Sequence, residues 1–143
     1  MSVCTFFGHR NCPEPIRDRL YTVLEALILK HGVDLFYIGK EGQFDALVRQ
    51  VLRNLKRAYP HIQYAVVLAY LPTKRTTEDL SDAMLPEGIE AVLPRYAISR
   101  RNRWMLQRSD YVVTYSTHSW GGAAQFAETA RRQNKTVIHL SVQ

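Results

Sequence analysis

The stretch LFYIGKEGQFDALVRQVLRNLKRAYPHIQYAVVLA, residues 35–69, holds three elements in a row. Leu35–Ile38 is a short apolar run with aromatic and β-branched members, and it reads as a strand buried on both faces. Phe44, Leu47, Val48, Val51, Leu52 and Leu55 then recur at helical spacing and give a helix one apolar face. Ile62–Ala69 returns to a strand. A strand, a one-sided helix and a second strand form a crossover unit, whose right-handed form lays the two strands parallel.

The same rhythm extends outward in both directions. Val3–Phe7, Tyr111–Tyr115 and Thr136–Leu140 read as further strands. Ile16, Leu20, Val23, Leu24, Leu27 and Ile28 mark a helix after the first, and two more helices fall around Tyr96–Arg108 and from about Gly121 to Asn134. Few of the strands alternate, so helices should cover both faces of the sheet. The prediction is one α/β domain over residues 1–143, a Rossmann-like, doubly wound, mostly parallel sheet with strand order 3-2-1-4-5. Leu71–Pro94 breaks the rhythm with Pro72, Pro86 and Pro94 and reads as a surface excursion holding one short strand or helix.

With 143 residues and 46% hydrophobic content the chain buries one sizeable core. Nineteen Lys and Arg against thirteen Asp and Glu leave a net charge of +6, which favours anionic partners such as nucleotides or nucleic acid. Cys4 and Cys12, with seven residues between them, match no zinc pair and are too few for a disulfide framework, so the expected setting is the reducing cytoplasm. Tyr64–Leu71 is the longest apolar run and falls far short of the roughly 20 residues that cross a bilayer, so no membrane partner is expected. No clustered His, Cys and carboxylate set calls for a metal, and no cofactor is indicated.

In a parallel sheet, ligands bind beyond the carboxyl ends of the strands, where helix N-termini present unpaired N–H groups. Three loops fall there. Gly8, His9 and Arg10 follow the first strand; Gly39, Gly42, Phe44 and Asp45 follow the second; Trp120, Gly121 and Gly122 follow Tyr111–Tyr115. Each has a plain structural reading beside the functional one. Gly8 suits a tight turn with His9 and Arg10 solvated, and Asp45 stabilises the first turn of its helix or contacts a ligand. Neither glycine pattern is a complete dinucleotide fingerprint or P-loop. Arg95, Arg100, Arg101, Arg103 and Arg108 crowd one segment, and most of such a run is ordinarily a solvated face.

FFGHR near the start, YIGKEGQFDALV in the middle, and RRNRWMLQRSDYVVTYSTHSWGGAAQFAETARRQNKTVIHL at the end resemble the SLOG superfamily. These Rossmann-like domains include the LOG nucleotide phosphoribohydrolases and DNA-processing proteins of the DprA kind. The chain looks most like the bacterial members that begin with Thr-Gly-His-Arg. In LOG enzymes a helix carrying Arg-Lys-x-x-Met precedes a strand beginning Ser-Asp, which leads into Pro-Gly-Gly-x-Gly-Thr-x-x-Glu. Arg101, Asn102 and Met105 fall on the first motif, Ser109 and Asp110 on the second, and Gly121, Gly122 and Glu128 on the third. Trp120 replaces the proline, Ala124 and Gln125 replace Gly-Thr, and Asn102 replaces the lysine.

The resemblance implies that Arg101 and Glu128 take the places of the residues that cleave an N-glycosidic bond, with Asn102 beside them. Losing Gly-Thr removes a hydroxyl and a permissive backbone from the family's phosphate cradle. The sequence therefore favours binding or sensing of a nucleotide-derived, phosphate-containing ligand. N-glycosidase action on nucleoside 5′-monophosphates is the first alternative, and a nucleic-acid or protein interaction module is the second. The resembling enzymes are commonly dimers, which makes a homodimer one expected arrangement.

Overall fold

The computed structural model describes residues 2–12, 16–72, 80–116 and 122–140. Its elements run β1 (Ser2–Gly8), α1 (Arg17–His31), β2 (Val33–Ile38), α2 (Gly42–Ala58), β3 (Gln63–Val67) and β4 (Ala83–Met84). A 3-10 turn at Ile89–Ala91 follows, then α3 (Pro94–Gln107), β5 (Tyr111–Tyr115), α4 (Gly122–Arg132) and β6 (Thr136–Leu140). All pairings are parallel and the sheet order is β4-β3-β2-β1-β5-β6. The 3-2-1-4-5 order of the long strands is thus present, with β4 added at the edge from the Leu71–Pro94 excursion. Two residues of that excursion pair with Val66 and Val67, which gives it both a strand and a helical turn rather than one of the two.

The two faces of the sheet bury alternate residues of each strand. Cys4, Phe6, Phe36, Ile38, Val66, Leu68, Val113 and Tyr115 enter a core with Leu20, Leu24, Val48, Leu52 and Leu55 of α1 and α2. Phe7, Val67 and Val112 turn to the other face and pack with Met105, Leu106 and Ala130 of α3 and α4. This double burial is why the strands read as continuous apolar runs. α1 stops where Gly32 takes a left-handed conformation, φ 66°, and its N–H donates to the Leu27 carbonyl. α4 meets the sheet through Ala127 and Ala130, so it sits close and carries its N-terminus to the carboxyl edge of β5.

Candidate functional site

Residues from four elements enclose a cleft of roughly 270 Å³ at the carboxyl edge, lined among others by Gly8, His9, Arg10, Gly39, Glu41, Asp45, Arg101, Asn102 and Gly122. Two of its glycines are there because a side chain has no room. A Cβ on Gly8 would lie 2.2 Å from Cδ2 of Phe44. A Cβ on Gly39 would lie 2.7 Å from Oδ2 of Asp45 and 3.2 Å from the Arg101 guanidinium. Gly42 adds a left-handed backbone, φ 85°, beneath which the Gln43 N–H donates to the Arg10 carbonyl at 2.6 Å. The Cys12 N–H in turn donates to Gln43 Oε1 at 2.8 Å, so the loop after β1 is pinned to the start of α2.

Arg101 is 2% exposed, and each of its three nitrogens donates within the protein. Nη1 donates to the Val67 carbonyl at 3.0 Å, Nε to Asn102 Oδ1 at 2.8 Å, and Nη2 to Glu41 Oε2 at 2.6 Å. One guanidinium therefore ties α3 to the end of β3 and to the loop after β2. Asp45 sits on the far side of Gly39 and accepts the Glu41 N–H at 3.1 Å through Oδ2. Burial pushes its carboxyl up to about 7. Arg101 and the bond from the Glu41 N–H pull it down, while the Glu41 charge adds to the rise. The cleft wall thus sets two carboxyl groups, Glu41 and Asp45, around the Arg101 guanidinium, and Arg10 is exposed beside it.

The sequence-predicted residues divide on this geometry. Gly8, His9, Arg10, Gly39, Asp45, Arg101, Asn102 and Gly122 line the cleft together. Phe44 does not: it is 1% exposed, lies under Gly8 and stacks on Tyr115 with ring centroids 6.0 Å apart, because that position of α2 faces the core. Gly42 stands just outside the lining and shapes it through its backbone. Trp120 and Gly121 lie outside the described residues. Gly122 is exposed, and a Cβ there would meet nothing within 4 Å among the described residues, so packing does not explain its lack of a side chain.

Glu128 stands apart from Arg101. It lines a second groove with Thr114, Ser116, Arg131 and His139. There it pairs with Arg131 at 3.4 Å and Arg132 at 3.7 Å on the surface of α4. His139 Nδ1 meets Thr114 Oγ1 at 2.6 Å, and its Nε2 meets Arg131. Of the arginine run, Arg95 lies over the Tyr96 ring and Arg108 over the Trp104 ring, while Arg100 and Arg103 are exposed.

Glu41 is the site residue that sequence reasoning missed. Its partner is 60 residues away, so no local spacing announced it. The available signal was an acid set between Gly39 and Gly42 in a loop already marked for ligand binding. No group of three metal-ligating side chains occurs among the described residues. Among those residues no helix is long and apolar enough to cross a membrane.

No protein-family model matches the chain. A UPF0398 protein of Halalkalibacterium halodurans is 23% identical over 120 residues, covering 76% of this chain and 64% of that protein. DNA processing protein A (DprA) of Streptococcus pneumoniae matches with a TM-score of 0.74 at 13% identity, over 100% of this chain and 51% of that one. The fold is Rossmann-like and matches that of DprA. DprA of Helicobacter pylori, studied for its single-stranded DNA binding mode, shares this fold with a TM-score of 0.63 at 17% identity, over 99% of this chain and 66% of that one. The chain spans about half to two thirds of the length of these proteins.

Two of the positions that carry the sequence resemblance, Ser109 and Asp110, serve architecture here. The Ser109 hydroxyl donates to the Met105 carbonyl at 2.7 Å and closes the end of α3. Asp110 accepts the Val3 N–H at 3.0 Å and its own N–H donates to the Val3 carbonyl at 2.8 Å, which sets β5 against β1.

Proposed function

We propose that the cleft at the carboxyl edge binds a nucleotide-derived ligand through its phosphate. The observation that carries this is the convergence of His9, Arg10 and Gly122, the first residue of α4, on one cleft. A helix N-terminus that begins with glycine beside a guanidinium suits an anion. Arg101 enters this reading as the residue that fixes the wall, since each of its three nitrogens already holds a partner in the protein. A thermal-shift screen with nucleoside monophosphates, ADP-ribose and inorganic phosphate tests it, because a ligand that binds only the native state raises apparent stability. A shift that Arg10→Ala removes is expected; no shift with any phosphate compound overturns the reading.

The second reading is single-stranded nucleic acid, favoured by the H. pylori relative and by a groove of about 390 Å³ that Arg100, Arg103, Arg108 and Trp104 line on α3. Contacts of this kind release counterions, so affinity for an oligonucleotide should fall steeply between low and physiological salt. The N-glycosidase alternative asks Arg101 and Glu128 to act at one reacting centre. Their positions on two different grooves give it no support.

A further inference from the structure

Away from the cleft, α3 turns a second face outward. Ala97, Arg101 and Met105 are buried on its inner side. Tyr96, Arg100, Arg103 and Gln107 recur at steps of four, three and four residues, so they form one row on the opposite side, and all four are exposed. Tyr96 heads the row and belongs to an apolar corner. Tyr70, Leu71, Leu93 and Tyr96 are each about half exposed, and the Tyr70 hydroxyl donates to the Pro94 carbonyl at 3.0 Å, which holds the chain beyond β3 against the start of α3. Further along, the row borders a groove of about 390 Å³ lined by Ile89, Val92 and Trp104. Arg100 and Arg103 line that groove too, and neither makes a hydrogen bond or ion pair among the described residues. Tyrosine, tryptophan and arginine gathered on one exposed face are the residue types that dominate protein interfaces.

We infer that this face of α3 docks a short acidic amphipathic segment of a partner protein. Its apolar residues lie on the Leu93–Tyr96 corner and along Ile89 and Val92, and its carboxylates pair with Arg100 and Arg103, whose planar forks match them. The second reading above lays a nucleic-acid strand in the same groove, and two observations favour the peptide. The Trp104 ring is part of the wall, with Arg108 over one face at 4.1 Å and Tyr37 meeting it at 66° with centroids 5.0 Å apart, so it offers little surface for a base to stack on. Leu71 and Leu93 have no planar face to offer a base, but they do bury apolar side chains. Size argues against a second copy of this chain. Four large side chains at half exposure leave on the order of 400 Å², short of the roughly 800 Å² per partner of a stable protein pair.

The test is fluorescence anisotropy of the full chain with a labelled peptide of about four helical turns, carrying Leu or Phe at amphipathic spacing and Glu between them. The same peptide with Lys in place of Glu, and an oligothymidylate, are the comparisons. The acidic peptide should bind at least about 10-fold more tightly than its lysine counterpart. Arg100→Glu combined with Arg103→Glu should reverse that preference, with an unchanged unfolding midpoint because both side chains are exposed. Leu93→Ser combined with Tyr96→Ser should weaken the acidic peptide by about 10-fold while keeping the preference over lysine. Equal affinity for the two peptides, or a preference that survives the charge reversal, overturns the inference. Oligothymidylate binding that the reversal removes, without binding of the acidic peptide, overturns it in favour of the nucleic-acid reading.

Discussion

Arg101 with Glu41 and Arg131 with Glu128 are both arginine–glutamate pairs beside a groove, yet their surroundings are opposite. The first spans 60 residues at 2.6 Å, with the arginine side chain 3% and the glutamate 25% exposed. The second spans three residues at 3.4 Å, with the two side chains 47% and 52% exposed. Water screens the outer pair and makes it nearly free to exchange partners. The inner pair is held by strand ends, a glycine niche and a neighbouring asparagine, so each member is costly to leave alone. A charge becomes part of a site when the fold removes its water, not when the sequence supplies a counter-charge nearby.

Three substitutions would break or sharpen this contrast. Arg101→Met strands Glu41 beside Asp45 and frees the Val67 carbonyl, and should lower unfolding free energy by about 3 kcal/mol in a denaturant titration. A loss below 1 kcal/mol would put the inner pair in the same class as the outer one.

Asp45→Asn should act in the opposite direction. The Asp45 carboxyl moves from 3.8 in an unperturbed chain to about 7 in the folded protein, so folding retains a proton that the unfolded chain has released. Stability contributed by this group is complete below about pH 4, is lost as pH rises toward 7, and stays lost above it. The asparagine variant, which carries no charge, should therefore gain on the native protein through that window and be about 2 kcal/mol more stable at pH 8. Parallel stability curves of the two proteins from pH 4 to 8 would contradict this.

Glu128→Gln should give the smallest change, under about 0.5 kcal/mol at moderate salt, because both of its arginine partners are solvated. Ligand affinity in the Arg101 cleft should be unchanged by calorimetry. A large loss of that affinity would restore Glu128 to the site that the SLOG resemblance gave it.

Much of the architecture was legible along the chain because it follows from short-range pattern. The strand runs and the apolar helix faces are set by neighbouring residues, and the order of the long strands followed from their alternation with helices. The excursion was harder, since β4 is two residues long and exists only through pairing with β3. In the site, glycine positions were visible but their reasons were not. Gly8 reads as a turn and is in fact space for the Phe44 ring; Gly39 reads as a phosphate approach and is space for Asp45 and Arg101. Phe44 was drawn to the ligand by its place in the loop and Glu128 by the resemblance; Phe44 is buried in the core, and Glu128 lines a second groove on α4.

By itself the sequence determined a parallel α/β sheet, the loops at its carboxyl edge and the basic balance of the chain, because periodicity, turn residues and charge are properties of adjacent residues. Only the tertiary structure decided which of five clustered arginines is buried, that Glu41 is its partner, and that Asp45 holds its proton near neutrality. Those outcomes depend on desolvation and on contacts between segments tens of residues apart, and neither quantity is written in local order.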